Sequence, residues 1–387
     1  MSLKINDSIE SNPETLANHF NNFFTSIADN IRSNLTLSSK NFKSFLKDKP
    51  QSSFFFNAIT VDEVFNIILS LNKSKASGPY SIPDQILKLI PFEISKILAN
   101  IFNSSFETGK FITALKNVKV VPVYKNKGSS LDVGNYRPIS LLSNVDKIFE
   151  KIVYSRLIKY FDHKNIINKN QFGFRSKHST NDALITITEQ IRKNLDKSHF
   201  SCGTFIDLQK AFDTVDHKIL LSKLDNYGIR GLSNQWFNNY LSGRKQFVSI
   251  MNHSSSSAVI SHGVPQGSVL GPLLFLIYIN DLPSSIKYST TFLFADDTGI
   301  LYSSPDLKDI EEKVNFDLRC LSTWLKANKI ALNTTKTEVI LFRDPRKSIT
   351  SPIKLFLDNF ELSFSSNVKY LGIFLDQLSL LNIKQNF

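Results

Sequence analysis

The stretch Thr290-Thr291-Phe292-Leu293-Phe294-Ala295-Asp296-Asp297-Thr298-Gly299-Ile300-Leu301-Tyr302 constrains this chain more than any other. Apolar, β-favouring residues flank a short polar step, and that pattern predicts a hairpin with Ala295-Asp296-Asp297-Thr298 at or near its turn. Two like charges side by side between buried strands are costly unless a cation sits with them, so the pattern points to a metal site at the hairpin tip. Adjacent aspartates are also ordinary in solvated turns, and on this stretch alone the two readings stand level.

A second carboxylate stretch bears on that choice. Cys202-Gly203-Thr204-Phe205-Ile206-Asp207-Leu208 reads as a buried strand that ends on an acid, the position where sheet proteins commonly build their sites. Asp207 is therefore the candidate partner of Asp296 and Asp297. Asp213 and Asp216, a few residues on, read as turn and cap residues before a helix carrying Ile219, Leu220 and Leu224. Three carboxylates on neighbouring strand ends could hold two Mg²⁺ ions about 3.5–4 Å apart, the arrangement that serves phosphoryl transfer. Hard oxygen ligands select Mg²⁺ or Mn²⁺; no His or Cys cluster has zinc spacing, and no glycine-rich Walker loop follows a strand.

The formal net charge of +12 over 387 residues is spread along the chain and favours a polyanionic partner. Phosphoryl transfer without a Walker loop, on such a chain, points to polynucleotide chemistry. Cys202 and Cys320 supply neither a disulfide framework nor a metal cluster, which fits an intracellular, reducing setting. The strongly apolar run Val269 to Ile279 is broken by Gly271 and Pro272 and falls short of the ~20 residues a membrane span needs. Polar and charged residues occupy the N-terminus where an export signal would have an apolar core, so neither membrane span nor export signal is expected.

Residues 1–59 read as a polar, loosely packed extension with one amphipathic helix, on which Leu16, Phe20, Phe23, Phe24 and Ile27 share a face. Residues 60–117 read as helical, opened by a capping box at Thr60-x-x-Glu63 and interrupted by the basic loop from Asn72 to Pro79. Val118 to Tyr124 is β-like; a basic loop from Lys125 to Ser130 and a second short strand bearing Arg137 complete a finger suited to phosphate. Lys127 in that finger reads as an incidental solvated charge. Ser143-x-x-Asp146 opens a long core helix. The loop from Gln171 to Thr180 interleaves aromatic and basic residues, so Phe172 and Phe174 either stack on a nucleic-acid strand or plug the core. From Gly263 to Phe275, closely spaced glycines and prolines before an apolar helix predict a special turn with exposed backbone able to approach a ligand.

Taken in order, seven stretches carry a resemblance: Asn135-Tyr136-Arg137-Pro138-Ile139-Ser140, Gln171-x-Gly173-Phe174-Arg175, Asp207-x4-Phe212-Asp213, Gly263-Val264-Pro265-Gln266-Gly267-Ser268, Phe294-Ala295-Asp296-Asp297, Leu332-Asn333-x2-Lys336-Thr337 and Lys369-Tyr370-Leu371-Gly372. The chain resembles a reverse transcriptase of the non-LTR retrotransposon type, similar to jockey-like elements. Any one stretch is weak; their order is specific.

That resemblance implies an α+β, right-hand polymerase fold whose fingers and palm occupy residues 118–376, with an antiparallel palm sheet packed on helices. It implies a helical region over 60–117 before the fingers, and a C-terminus at 377–387 cut off before the thumb, leaving the thumb absent or vestigial. No endonuclease-like segment is expected before the polymerase region. The activity implied is RNA-directed DNA synthesis with RNA template, DNA primer and dNTPs as partners and two Mg²⁺ ions (or Mn²⁺) as cofactors. Asp207, Asp296 and Asp297 would be the catalytic carboxylates, with the Leu208 carbonyl a further metal ligand. Phe212 would stand as a steric gate against a 2′-OH, Gln266 and Gly267 would line the nucleotide and template pocket, and Lys125 and Arg137 would meet the triphosphate. Lys336 matches a lysine that protonates the leaving pyrophosphate, although a lysine there is equally read as a surface charge. Phe174 and Arg175 would touch template or primer, as would the hairpin Tyr370-Leu371-Gly372. An integrating element works in the nucleus, yet no clear targeting signal is visible. Two other readings stay open: a nucleic-acid-binding relic with weak turnover, and a metal-dependent nuclease using the same carboxylates.

Overall fold

The first helix shows how this chain hides a core beneath a polar composition. Helix α1 (Pro13–Ser33) follows the short hairpin β1 (Leu3–Ile5) and β2 (Ser8–Glu10). The Asn12 side chain accepts from the N–H groups of Glu14 and Thr15, and Pro13 stands where the first helical N–H would have no partner. Leu16, Ala17, Phe20 and Phe24 recur on one face and are buried, while polar residues such as Glu14, Asn22 and Asn30 lie outside it. The computed structural model describes residues 1–47, 50–71, 78–79, 82–349 and 352–378. It forms two units: residues 1–33, 48–166 and 212–277 make one, and residues 34–47, 167–211 and 278–387 the other.

In the first unit, strands β3 (Asn117–Tyr124) and β4 (Tyr136–Leu141) form the finger hairpin, and helix α2 (Asn144–His163) follows. The sheet is completed elsewhere in the chain. In the second unit come helix α3 (Thr180–Asp196) and strand β5 (Phe200–Ile206), before the chain returns to the first with strand β6 (Lys245–Ile250). Strand β3 pairs with β6 in parallel, with Asn117 opposite Lys245, and with β4 antiparallel. Leu16, Phe20 and Phe24 of α1 pack on Val118, Val120, Tyr136, Val248 and Ile250 of this sheet. The expected loosely packed extension is thereby corrected: residues 1–33 are part of the first unit's core, because an amphipathic helix needs only one apolar face to be held. The units also interleave along the chain, each being built from three separate stretches.

Helix α4 (Leu270–Ile279) has nearly every residue buried, as an all-apolar sequence requires. The second unit then continues with strands β7 (Thr290–Phe294) and β8 (Asp297–Ser304), helix α5 (Leu307–Ala327) and strand β9 (Glu338–Phe342). A final hairpin pairs β10 (Asn367–Tyr370) with β11 (Ile373–Asp376). Strands β9, β5, β8 and β7 form, in that order, one antiparallel sheet with β5 buried along its whole length. Leu184, Ile187 and Ile191 of α3 pack with Phe205, Phe292, Leu301, Ile340 and Phe342 of this sheet and with Val368, Tyr370 and Leu375 of the last hairpin. The chain is thus α+β, with an antiparallel sheet packed on helices.

Local expectations met mixed outcomes. At the predicted capping box the Thr60 hydroxyl does accept from the Glu63 N–H, but the Glu63 carboxylate turns to Arg156 at 2.7 Å and not back to Thr60. Asp146 accepts no such role either: it is buried against Arg244, 3.7 Å away. Most of the basic loop expected between Asn72 and Pro79, residues 72–77, lies outside the described residues, as does 379–387 of the expected C-terminal segment. Among the described residues no helix is long and apolar enough to cross a membrane.

Candidate active site

The hairpin closes with two residues. Asp297 pairs with Phe294, so Ala295 and Asp296 alone form the loop between β7 and β8. Ala295 takes a left-handed φ of 55°, the first position of a tight hairpin turn that glycine ordinarily fills. Asp296 is therefore at the tip and Asp297 opens β8. Strand β5 lies beside β8, with Ile206 opposite Thr298, so Asp207 follows directly from the neighbouring strand end. A bridge between Leu208 and Leu332 extends the sheet: Gln209 N–H donates to Ala331, and Asn333 N–H donates to the Asp207 carbonyl. The Leu208 carbonyl takes no part in those two bonds.

Three acids from two adjacent strands thus share one sheet end. Partial burial pushes the Asp297 carboxyl up to about 6, reinforced by the charges of Asp296 and Asp207. The Lys336 ammonium lies 3.7 Å from an Asp207 oxygen, both groups being well exposed. Among the described residues, no three acid, His or Cys side chains already converge as a metal cage. The donor set nonetheless fits a hard divalent ion: it is oxygen only, and like charges gathered at one sheet end are relieved by a cation.

Lys125, Arg137, Phe212, Gln266 and Gly267 belong to the first unit. Phe212 is half-buried with its ring stacked on Phe275, centroids 4.5 Å apart. Gly263, at φ 83°, passes so close to the Phe212 and Asp213 carbonyls that a Cβ would stand 2.9 and 2.7 Å from them. Gly267, at φ 108°, approaches the Ser140 carbonyl in the same way. The Gln266 carbonyl accepts from the Ser140 N–H, and its side-chain amide donates to Asp213 at 2.7 Å. The predicted special turn is therefore built by backbone contact with β4 and with the 212–213 segment. Arg137 on β4 is exposed, with no ion-pair partner among the described residues, whereas the Lys125 ammonium donates to the Gly134 carbonyl and closes the finger loop. Asp216 caps the following helix as expected, accepting from the Ile219 N–H.

Beneath this loop lies a network that sequence reasoning missed. Glu150 on α2 accepts from the N–H groups of Val269 and Leu270, capping α4, and from the Tyr240 hydroxyl. Arg244, 2% exposed, stands by Asp146. Burial raises both Asp146 and Glu150, and the guanidinium of Arg244 opposes the rise. The available signal was an acidic residue on an otherwise core-facing helix turn, Phe149-Glu150.

Three further expectations are revised by placement. Tyr370 is 3% exposed, its ring against Phe205 and its hydroxyl directed at the Phe292 carbonyl, so the ring is a core residue. Leu371 and Gly372, with φ of 47° and 90°, form the two-residue turn beyond it. The Arg175 guanidinium donates to the Gln171 and Asn168 carbonyls of its own loop. Phe174 is 47% exposed and so is no core plug.

Residues 124–375 match a family model described as reverse transcriptase (RNA-dependent DNA polymerase). Over 358 residues the chain is 30% identical to the RNA-directed DNA polymerase from mobile element jockey of Drosophila melanogaster, covering 89% of this chain and 38% of that protein. It is 32% identical over 341 residues to the probable RNA-directed DNA polymerase from transposon BS of the same organism, covering 84% and 37%. It is 27% identical to the retrovirus-related Pol polyprotein from type-1 retrotransposable element R1 of Bradysia coprophila, covering 85% and 32%. The chain spans about two fifths or less of the length of these relatives.

Proposed function

The chain belongs to the reverse transcriptase (RNA-dependent DNA polymerase) family, and from that premise we propose that it adds dNTPs to a primer 3′-OH on an RNA template. The observation that carries the reading is the shared sheet end of Asp207, Asp296 and Asp297, where burial, reinforced by the charges of Asp296 and Asp207, lifts Asp297 to about 6. In this reading the second unit's sheet is the palm and the β3–β4 hairpin belongs to the fingers.

Asp207, Asp296 and Asp297, with the Leu208 carbonyl, would hold two Mg²⁺ ions. Bound there, such ions lower the pKa of a 3′-OH and neutralise a triphosphate during in-line displacement. The protein's own parts then divide as follows. Phe212, backed by Phe275, presents a rigid ring against the sugar and excludes a 2′-OH. Gln266 and Gly267 line the nucleotide and template side on a loop held by Ser140 and Asp213. Arg137 meets phosphate directly; Lys125 shapes the finger loop beside it and adds positive charge. Lys336, poised by Asp207, supplies a proton to the leaving pyrophosphate. Phe174 stacks on the template strand, Arg175 orders the loop that carries it, and Leu371 with Gly372 approaches the primer backbone.

The test is dNTP incorporation with Mg²⁺ on a DNA primer annealed to RNA, in the native chain and in Asp207→Asn and Asp296→Asn. Extension by the native chain that is lost in both variants is expected. Folded, template-binding protein without extension would refute the reading, and strand degradation under Mg²⁺ alone would replace it with a nuclease.

A further inference from the structure

We infer that Gln171 is a positioning residue that holds the Asp296-Asp297 turn in place, an inference resting on the reading of that turn as the polymerase centre. Gln171 is 2% exposed, a polar side chain inside the second unit's core. Its Oε1 accepts from two backbone N–H groups: Gly173 at 2.8 Å and Ala295 at 3.0 Å. Ala295 is the residue immediately before Asp296, and its left-handed φ is one that a side chain other than glycine adopts reluctantly. A buried N–H in such a turn needs an acceptor, and the Gln171 oxygen fills the role.

The position of that oxygen is itself fixed by the backbone. Leu293 N–H donates to the Asn170 carbonyl at 2.9 Å, and Phe172 N–H donates to the Leu293 carbonyl at 2.8 Å, pairing Gln171 with Leu293 in parallel. Gly173 lets the loop come this close, since a Cβ there would stand 2.3 Å from the Ala295 nitrogen. Gln171 Nε2 makes no hydrogen bond. Only the acceptor half of the amide is used, and it joins the loop at Gly173 to the turn at Ala295. Removing it leaves Ala295 N–H buried and unsatisfied, and frees the turn to rotate Asp296 away from Asp207 and Asp297.

The experiment compares Gln171→Leu, which removes the acceptor at similar volume, with Gln171→Glu, which keeps an oxygen, in the full chain. Hydrogen exchange over residues 293–298, Mn²⁺ affinity, and kcat and dNTP KM for primer extension are measured together. In Gln171→Leu, exchange at Ala295 is expected to accelerate about tenfold or more. Its kcat is expected to fall about tenfold or more with KM within about twofold, because misplacement of the carboxylates and not nucleotide binding is affected. Mn²⁺ affinity should weaken in step, and Gln171→Glu should recover both protection and kcat. Wild-type kcat and Mn²⁺ affinity in Gln171→Leu would overturn the inference. So would a kcat loss with unchanged exchange that Glu fails to rescue, since that is a packing defect. A native chain that incorporates no dNTP refutes the polymerase reading instead, while exchange and Mn²⁺ affinity still decide whether Gln171 holds the turn.

Discussion

Gly173→Ala tests how tightly the carboxylate turn is held. A Cβ at residue 173 would stand 2.3 Å from the Ala295 nitrogen, 2.9 Å from the Phe294 carbonyl carbon and 3.2 Å from the Ala295 Cα. Non-bonded heavy atoms rest near 3.5 Å, so the loop and the turn must separate by about 1 Å. No flexible side chain can yield, because every atom met is backbone. Forced overpacking of this kind costs about 1–3 kcal/mol in stability. The same shift, delivered to the residue preceding Asp296, lowers kcat by about 10²-fold, equivalent to about 2.7 kcal/mol of barrier. Gly231→Ala is the control: its φ is 55° but nothing lies within 4 Å of the added carbon, so it carries only the left-handed cost of about 1 kcal/mol. Urea denaturation reads the stability and single-turnover primer extension reads the chemistry. A Gly173→Ala chain with native kcat, or with a kcat loss no larger than that of Gly231→Ala, would refute the reasoning.

Other outcomes follow from the same geometry. Asp297 is raised from 3.8 to about 6, so the metal-free folded state holds that proton more tightly than the unfolded chain; the stability it confers is full below about pH 4 and is lost as pH rises through 6. Solvent screening at this accessible carboxylate limits the change to about 1 kcal/mol, and denaturation across pH 4–7 should lose that slope in Asp297→Asn and on adding Mg²⁺. Glu150→Ala strips the Val269 and Leu270 N–H groups and the Tyr240 hydroxyl of their acceptor and removes a carboxylate whose charge acts on buried Arg244, which should cost about 3–5 kcal/mol by denaturation; a loss under about 1 kcal/mol would contradict the buried network. Phe212→Val removes the ring stacked on Phe275 and should raise rNTP use relative to dNTP about tenfold or more in incorporation assays, with unchanged discrimination ruling out the gate.

The carboxylate end of the sheet was legible because its chemistry resides in side-chain identity and its strands in simple pattern. An apolar run broken by two acids became β7 and β8, and a buried run ending in Asp207 became β5 beside them. The burial of the Tyr370 ring went unread although its neighbourhood carried the signal: Val368 and Tyr370 alternate with exposed Asn367 and Lys369, the period of a half-buried strand, and that places the ring inward whatever motif it belongs to. The N-terminal segment was misjudged for the opposite reason, since Ser, Asn and Lys through residues 1–59 give it a polar composition while Leu16, Phe20 and Phe24 of α1 decide its packing. Glu63 shows a third cause: a distant Arg156 outcompetes the local capping bond that the sequence spacing allows.

Gln171 and Gly173 show where sequence reading stops. An aspartate announces its chemistry, but a glutamine oxygen that serves a backbone N–H 124 residues away does so through a group every residue carries, so nothing at Ala295 marks it as the partner. The same holds for Gly263 and Gly267, whose need for glycine arises from the Asp213, Phe212 and Ser140 carbonyls passing within a carbon's reach. The chemical groups of this site are thus written in side chains, and their placement is written in backbone contacts that only the folded chain creates. That division explains why substitutions at Gly173 and Gln171, residues with no reactive group, are expected to rival the loss of Lys336, whose exposed ion pair with Asp207 contributes at most about 1 kcal/mol to holding the site together.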